Sequence, residues 1–535
     1  MTLATAKKKK KTIRTIPQQR TPVREQEPAV RARNFDEVSL GYDRDQALLE
    51  AERCLQCPEQ PCIAGCPVAI NIPGFIQKIC DRDFRGAYGV ITASNLLPAV
   101  CGRVCPQESQ CEGVCTVGDS LEPVAIGRLE RFVGDTAIAE GWNQAGVRGR
   151  RSADDQGRPP SPTPRSKPDV EWGRDAVTSD PFRIGIVGSG PAGLACAADM
   201  AKAGCEVTVY EAFHLPGGVL RYGIPDFRLP NTVIDAEIRH LETLGVAFEC
   251  NTLVGRLFTL EQMLDELKFD AVFVGTGAGY PAMPGIPGDS LNGVLSANEL
   301  LTRCNLMRAK EFPFFDTPLP RGRRVAVIGA GNTAMDAMRV SLRLGAESVV
   351  CLYRRSKTEC PARAEEVHHA EQEGVLFNWL TAPIAIHDDG NGGVRGVRCQ
   401  RMALGEPDDS GRRRPLPVAD SEHDIDVDLV VFAIGTQANP IIGQTSRLRL
   451  NARGYIDTDP TLATSMAGVF AGGDIVTGAA TVIEAMGAGR KAARSMKAYL
   501  GLRDRATAQE VPALEPIFGI DAREHNFVRV RAEWS

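Results

Sequence analysis

The residues with the most distinctive chemistry in this chain are cysteines. Nine of the 16 cysteines lie between Cys54 and Cys115, and the others are scattered singly. One group has the spacing Cys-x2-Cys-x4-Cys-x3-Cys-Pro from Cys54, and the other has Cys-x3-Cys-Pro-x4-Cys-x3-Cys up to Cys115. An iron–sulfur cluster needs several thiolates from a compact, loop-rich segment. The pattern therefore favours iron–sulfur chemistry.

Two alternatives stay open for these cysteines. Zinc is usually held by two Cys-x2-Cys pairs, and this spacing does not divide in that way. A disulfide scaffold is conceivable, but nothing marks the chain as secreted. Because flavin motifs follow in the sequence, a redox metal is favoured.

A glycine-rich run from Gly188 to Gly193 follows the apolar segment Arg183 to Val187 and precedes an alanine-rich helix. Such glycines let the backbone approach a pyrophosphate at the helix N-terminus, and Glu211 suits the ribose hydroxyls. Near the C-terminal end, Asp474 follows two glycines and resembles the second FAD motif of two-dinucleotide flavoproteins; the alternative is a simple helix cap. The predicted FAD contacts are Gly188, Gly190, Pro191, Ala192, Gly193, Glu211, Gly217, Gly218, Val219, Arg228, Val254, Gly473, Asp474, Thr481 and Val482.

A second glycine-rich run begins at Gly329, after another apolar strand segment. Where an NAD site would carry an acidic residue, this chain has Arg354 and Arg355, whose guanidiniums can neutralise a 2′-phosphate. We therefore predict NADPH rather than NADH; a solvated basic turn is the alternative, and Arg363 is a further candidate. The predicted NADPH contacts are Gly329, Ala330, Gly331, Asn332, Thr333, Arg354, Arg355, Ala433, Ile434 and Gly435.

Composition limits the class of protein. A chain of 535 residues exceeds one hydrophobic core and predicts three or four domains. A net charge of −5 gives no reason to expect nucleic acid as a partner. The sequence has no apolar stretch of about 18 residues and no apolar signal-peptide core, so we expect a cytoplasmic protein without membrane contact.

The predicted domains follow from these motifs and from shifts in composition. They are a disordered basic arm with a lysine run (1–35), a helical domain with two [4Fe–4S] clusters (36–142), a Pro/Arg/Ser-rich linker or insertion (143–181), the first part of an FAD domain (182–298), an inserted NADPH domain (299–438), the second part of the FAD domain (439–500) and a tail (501–535). The predicted fold class is α/β: a helical iron–sulfur domain followed by two Rossmann-like dinucleotide-binding domains.

A family resemblance extends from about residue 40 to 500, apart from the insertion Asn143–Asp180. Five stretches carry it: Arg53–Cys57, Cys101–Glu108, Ala125–Arg131, Pro361–Glu366 and Gly472–Asp474. They resemble the small subunit of NADPH-dependent glutamate synthase and its relatives. Those relatives include the flavin-bearing part of dihydropyrimidine dehydrogenase and the large subunit of NADH-dependent ferredoxin:NADP oxidoreductase.

This resemblance implies two sets of cluster ligands. One set is Cys54, Cys57, Cys62 and Cys115, and the other is Cys66, Cys105, Cys111 and Glu130. Cys80 and Cys101 would then not be ligands. For Glu130 the alternative is an acid on a helix surface.

The resemblance also implies a path of electrons from NADPH through FAD and two [4Fe–4S] clusters to a partner subunit. No protein nucleophile is needed, and no catalytic acid or base is named. The expected function is the electron-input subunit of glutamate synthase, with the large subunit as its partner. The alternative is the large subunit of the ferredoxin:NADP oxidoreductase, with a small ferredoxin-reductase-like partner, which the stretches 58–62 and 478–487 resemble more. A non-catalytic scaffold is the third hypothesis.

Overall fold

The computed structural model describes residues 16–144, 181–408 and 411–502. The lysine run, most of the predicted linker and nearly all of the predicted tail lie outside the described residues. Within the described ranges, no helix has the length and apolar character needed to cross a membrane.

The iron–sulfur domain is built from short helices around a small apolar core that contains Phe75, Ile79 and Leu129. Its longest helix, Ile126–Ala139, packs against the helix Pro98–Val104. The helices of this region are Pro28–Arg31, Arg44–Ala51, Pro61–Ala64, Ile72–Cys80, Phe84–Thr92, Pro98–Val104 and Ile126–Ala139, with 3₁₀ turns at Gln107–Ser109, Thr116–Asp119 and Trp142–Gln144.

The prediction of a disordered arm up to residue 35 is wrong for residues 16–35. This segment packs across the iron–sulfur domain and the inserted domain, and Arg31 is only 1% exposed. The Arg31 guanidinium pairs with Glu373, 342 residues farther along the chain. A composition rich in charge suggested disorder, but the charges are paired with distant partners in the fold.

The FAD domain contains a five-stranded parallel sheet. Its strand order is Val469–Ala471, Ala271–Val274, Arg183–Val187, Glu206–Tyr210, Ala247–Glu249. Strand Val469–Ala471 thus returns to the sheet that begins with strand Arg183–Val187, as an inserted domain requires. The helices are Pro191–Lys202, Val219–Tyr222, Asn231–Thr243, Leu260–Asp265, Ile441–Thr445, Asp474–Thr477 and Val482–Tyr499.

The inserted domain has its own five-stranded parallel sheet in the order Val294–Ser296, Leu429–Phe432, Arg324–Ile328, Ser348–Tyr353, Leu376–Trp379. The inserted domain also contains a separate antiparallel sheet of four strands, Thr381–Asp388, Val394–Pro407, Arg413–Pro417 and His423–Asp426. Its helices are Ala297–Asn305, Asn332–Arg343 and Ala364–Gln372, with 3₁₀ turns at Ala309–Glu311 and Lys357–Glu359.

The chain enters and leaves the inserted domain through a two-stranded ribbon of Tyr280–Pro281 and Thr436–Gln437. The predicted start of this domain at residue 299 is therefore too late, because strand Val294–Ser296 already belongs to the inserted sheet. The boundary follows from pairing between strands that are distant in sequence, which local turn residues do not reveal.

Candidate functional site

Four thiols of the iron–sulfur domain form one group. Burial, with contributions from the nearby Cys62, Cys57 and Cys115, raises the pKa of Cys54 to about 12. Burial likewise raises the pKa of Cys62 to about 11, with contributions from Cys115 and Cys57. Thiols that disfavour one another's ionisation in this way need a cation to become thiolates together, and a bound iron–sulfur cluster would supply that charge.

A second group surrounds a cavity lined by Cys66, Cys105, Cys111 and Glu130. Burial raises the pKa values of Cys66 and Cys111, and both groups also feel the charges of Cys105 and Glu130. The remaining lining is largely apolar and includes Ile483 of the FAD domain. The four residues of the predicted second ligand set therefore line one small cavity.

Close packing of two helices puts Glu130 beside these thiols. A Cβ on Gly102 would lie 2.5 Å from the Arg131 backbone nitrogen, and one on Gly134 would lie 2.4 Å from the Ala99 nitrogen. Because both positions are glycine, helix Ile126–Ala139 can approach helix Pro98–Val104 closely. Glu130 is buried rather than on the surface, which excludes the alternative of a surface acid.

The Glu130 carboxyl group has one neighbour that sequence analysis missed. Burial raises the pKa of Glu130 to about 7, and a hydrogen bond from the Asn95 side chain partly opposes this effect. Asn95 Nδ2 donates to Glu130 Oε1 over 2.7 Å. A run of Ser94-Asn95-Leu96-Leu97 gives no sequence signal for such a role.

The first glycine run has the geometry of a phosphate-binding turn. A Cβ on Gly193 would lie 1.9 Å from the Gly188 carbonyl oxygen, whereas one on Gly190 would meet no atom within 4 Å. Gly193 thus allows the helix Pro191–Lys202 to pack on the turn, and Gly190 leaves the space in front of it open. Such a turn at a helix N-terminus fits a pyrophosphate.

Glu211 holds this turn from the next strand. Its Oε2 accepts a hydrogen bond from the Ser189 backbone N–H at 3.1 Å, and its Oε1 accepts one from the Phe213 N–H at 2.9 Å. The predicted acid is therefore at the glycine turn, as a contact to an adenosine ribose requires.

The C-terminal FAD motif lies beside the same turn. A Cβ on Gly473 would lie 3.1 Å from the Ala192 Cβ. The adjacent Asp474 has a buried Oδ1 without a hydrogen-bond partner among the described residues, and burial raises the pKa of Asp474 to about 6. An orphan carboxylate oxygen at this position fits a hydroxyl donor such as those of the ribityl chain of FAD.

Some of the other predicted FAD residues lie near the glycine turn, whereas others belong to a helix start or to the apolar core. Gly218 packs on Gly190, and Val219 begins the short helix that follows. Thr481 caps the helix that starts at Val482, and its hydroxyl accepts the Glu484 N–H. Gly217 donates its N–H to the Ser189 hydroxyl, and Val254 is buried in the apolar core behind the sheet.

Arg228 differs from the prediction of an FAD contact. Its Nη1 donates to both carboxylate oxygens of Asp336 in the inserted domain, at 2.9 and 2.7 Å, and its guanidinium also pairs with Glu366. We therefore withdraw Arg228 from the FAD contacts. Sequence motifs could not reveal this pairing, because Asp336 is more than 100 residues away.

The second glycine run is built like the first. A Cβ on Gly329 would lie 2.3 Å from the Ala433 carbonyl oxygen, which brings the stretch Ala433 to Gly435 to the turn. Ala330 is buried, and a Cβ on Gly331 would meet no atom within 4 Å. Asn332 and Thr333 begin the helix Asn332–Arg343, with Thr333 exposed, and Ile434 is 43% exposed.

The two neighbouring arginines have different environments. Arg354 is exposed, and no carboxylate of the described residues pairs with it. Arg355 is buried, where its Nη2 donates to Asp408 at 2.6 Å and its Nε to the Arg413 carbonyl. Arg363 donates to the Arg103 carbonyl and to Gln107 in the iron–sulfur domain. Of these, Arg354 is the guanidinium available to a 2′-phosphate.

Comparison with known proteins gives one match in the N-terminal cysteine-rich region and one in the dinucleotide-binding region that follows it. Residues 31–142 match the family model described as dihydropyrimidine dehydrogenase domain II, 4Fe-4S cluster, and residues 182–489 match that of pyridine nucleotide-disulphide oxidoreductases. The glutamate synthase (NADPH) small chain of Halomonas elongata is 36% identical, over 89% of this chain and 96% of the relative. The chain belongs to this family. It is a flavin and iron–sulfur oxidoreductase of the glutamate synthase (NADPH) small-chain type.

The chain is also similar to proteins that are not named as glutamate synthase subunits. The NADP(+)-dependent formate dehydrogenase subunit beta of Moorella thermoacetica is 41% identical over 82% of the chain, which spans only 60% of that relative. FprA from Mycobacterium tuberculosis has a TM-score of 0.52 at 21% identity, covering 60% of this chain and 85% of FprA. This structural likeness bears out the dinucleotide-binding fold, and the predicted fold class is confirmed.

Proposed function

We propose that the chain is the electron-input subunit of an NADPH-dependent glutamate synthase, acting in the cytoplasm with a large partner subunit. The match to 96% of the length of a glutamate synthase small chain carries this proposal. The partner would use the electrons to make glutamate from glutamine and 2-oxoglutarate. The described residues support it by offering two dinucleotide turns and two groups of cluster ligands.

For the flavin, the proposed contacts are the turn from Gly188 to Gly193, Glu211 and Asp474. Bound there, FAD supplies the chemistry of taking a hydride and releasing single electrons. The residues themselves bind and orient: the helix N-terminus attracts the pyrophosphate, and the unpartnered Asp474 oxygen accepts a hydroxyl.

For the nucleotide, we assign the discrimination for a 2′-phosphate to Arg354. Arg355 is already engaged by Asp408 and supports the turn rather than the ligand. An exposed guanidinium can form forked hydrogen bonds with a phosphate, whereas NADH offers no such group.

For the clusters, we propose two [4Fe–4S] sites with unequal ligands. The first would be held by Cys54, Cys57, Cys62 and Cys115. The second would be held by Cys66, Cys105, Cys111 and Glu130. An oxygen ligand with its negative charge favours the oxidised cluster and lowers its potential.

The two proposed sites differ in depth. Ile483 at the start of the last FAD-domain helix lines the second cavity, so that site adjoins the flavin domain. Around the first group, Leu55 is 41% and Val114 is 46% exposed. We infer that the first site faces the partner subunit and that the second lies between it and the flavin.

Purification of the native complex tests the choice of partner. A large chain with glutaminase and FMN domains would support the proposal. The second candidate, the large subunit of NADH-dependent ferredoxin:NADP oxidoreductase, is favoured by the likeness in stretches 58–62 and 478–487 and would co-purify with a small flavin-bearing chain. A colourless purified protein without iron or flavin would overturn both.

Cluster assignment can be tested by substitution. We expect about eight irons per wild-type chain, as two [4Fe–4S] clusters require. Cys54→Ala should remove one EPR signal and Cys105→Ala the other. If both variants lost the same signal, the proposed division of ligands would be wrong.

A further inference from the structure

The carboxyl group of Glu130 accepts a hydrogen bond from one buried side-chain amide, that of Asn95. Asn95 has no exposed surface, and its Nδ2 reaches Glu130 Oε1 at 2.7 Å. This bond spans 35 residues and joins the loop before helix Pro98–Val104 to helix Ile126–Ala139. A fully buried amide is costly unless its donors and acceptors are satisfied, so its partners are informative.

Two donors on the other side of the amide fix its orientation. Asn95 Oδ1 accepts the Leu97 backbone N–H at 2.9 Å, and the Cys101 thiol donates to the same oxygen at 3.6 Å. A flipped amide would turn its NH₂ group toward these donors and its oxygen toward the Glu130 carboxylate. Both contacts would then be lost, so the NH₂ group must face Glu130.

The consequence for Glu130 is geometric. One carboxylate oxygen is committed to Asn95, and the carboxyl group lines the cavity with Cys66, Cys105 and Cys111. An oxygen bound to a fixed donor prevents free rotation of the carboxylate plane. The other oxygen is thereby left for a metal.

We propose that Asn95 is a positioning residue that orients Glu130 as the oxygen ligand of the second cluster, and that Cys101 helps to fix Asn95. This inference rests on the proposed placement of that cluster. It also gives a role to Cys101, which is buried next to Cys105 but is surplus to the ligand sets.

The proposed contact has an electronic effect as well as a geometric one. An N–H group that donates to a ligand oxygen withdraws electron density from it, and a less electron-rich iron is easier to reduce. Loss of the Asn95 bond should therefore lower the reduction potential of the second cluster. The first cluster, with its separate thiols, should keep its potential and serves as an internal reference.

The test is potentiometric EPR of the intact chain. In Asn95→Leu, which keeps the size of the side chain but not the donor, we expect both clusters to assemble. We expect the signal of the second cluster to change shape and its potential to fall. An unchanged second signal, or an equal shift in both clusters, would overturn the proposal.

Asn95→Asp is the variant to use if Asn95→Leu does not fold. It keeps an oxygen for the Leu97 N–H and places an acceptor against Glu130. We again expect a lower potential for the second cluster alone, and an unaltered signal would overturn the proposal. Cys101→Ala should give a smaller shift of the same sign, whereas its matched control Cys80→Ala should give none; equal effects of the two would contradict the role of Cys101.

A double substitution separates positioning from a general packing effect. If Asn95 acts through Glu130, adding Asn95→Leu to Glu130→Ala should change the second signal no further. Additive shifts would overturn the proposal. If the wild-type chain held only one cluster, the proposed cluster placement would be overturned as well. If it held two clusters and neither signal changed when Asn95 was substituted, only this inference would be overturned.

Discussion

Arg354 and Arg355 are adjacent in sequence but have unequal access to a ligand. Asp408 and a backbone carbonyl bind the second guanidinium, whereas the first is exposed to solvent. A side chain that is already neutralised contributes less to binding an incoming phosphate. At the scale of single residues, this difference is why we propose Arg354 as the residue that discriminates between the two nucleotides.

Arg354→Ala should weaken the use of NADPH about 10- to 100-fold in kcat/KM, because a charge-assisted hydrogen bond contributes about 1.5–3 kcal/mol. The use of NADH should change little. Steady-state kinetics with a dye acceptor measures both. Equal losses with the two nucleotides would contradict the assignment.

Asp474 carries a buried Oδ1 that has no hydrogen-bond partner in the part of the chain that the structure describes, and burial raises the pKa of this carboxyl group to about 6. In the flavin-free protein, the pKa of Asp474 is higher in the folded chain than in the unfolded chain. The free energy of unfolding therefore decreases as the pH rises from about 4 to 6, where the buried group loses its proton. A flavin hydroxyl that donates to the ionised form has the opposite effect. The affinity for FAD should therefore increase as the pH rises through about 6.

Isothermal titration of the flavin-free protein with FAD between pH 5 and 7 measures this dependence. Asp474→Asn should bind FAD more weakly at pH 7, by about 1.5–3 kcal/mol, and should lose the rise with pH. A variant that kept the rise would show that another group causes it.

The helix Asn332–Arg343 has a structural role besides starting the second dinucleotide turn. Arg339 has no exposed surface and pairs with Glu366 and Glu373. Phe227 of the FAD domain lies between Arg339 and Arg343, with ring distances of 4.6 and 3.9 Å. The cation–π contacts with Phe227, together with the ion pair between Asp336 of this helix and Arg228, thus fix the inserted domain against the FAD domain.

Arg339→Met should lower the free energy of unfolding by about 3–5 kcal/mol, because it removes a buried guanidinium that two buried carboxylates share. Thermal or urea unfolding measures this loss. Arg323→Ala removes an exposed ion pair with Glu347 and should cost less than about 1 kcal/mol. Similar losses in the two variants would contradict the importance of the buried network.

Burial alone would raise the pKa of Glu366, but Arg228 and Arg339 lower it to about 2. A lowered carboxyl pKa stabilises the fold above about pH 4.5, and this contribution is lost as the pH falls toward 2. Part of the acid sensitivity of the chain should thus come from this helix. Arg339→Met should reduce the loss of stability between pH 4.5 and 3, and an unchanged slope would exclude Glu366 as its source.

At the scale of the whole molecule, the N-terminal segment connects parts that are distant in sequence. Arg31 donates to Glu373 and Gln372 of the inserted domain and to Glu25 of its own segment. Arg20 pairs with Glu112 in the iron–sulfur domain. The segment therefore joins the cluster-bearing and nucleotide-binding ends of the chain.

Arg31→Ala should increase hydrogen exchange in residues 16–43 and in the helix Ala364–Gln372, since both lose a buried partner. Exchange mass spectrometry measures this, and the strands of the FAD sheet should be unaffected. Arg33→Ala is the matched control, because Arg33 is exposed on the same segment. Equal exchange in the two variants would argue against a structural link through Arg31.

The sequence alone determined what depends on neighbours along the chain. Cysteine spacing indicated iron–sulfur chemistry, and glycine runs after apolar strands indicated two dinucleotide domains, one inserted into the other. These features could be predicted because a turn that admits a phosphate needs glycine at fixed positions, whatever the rest of the fold does.

Only the tertiary structure decided what depends on residues far apart in sequence. In the folded chain, Arg228 pairs with Asp336, and Asn95 donates to Glu130. Arg31 is buried against Glu373, and Arg355 is bound by Asp408 while its neighbour Arg354 is exposed. Each of these is a polar group whose partner lies tens to hundreds of residues away, and composition cannot identify such partners. Burial then makes each pairing obligatory, because an unpaired charge or amide in the interior is too costly to leave unsatisfied.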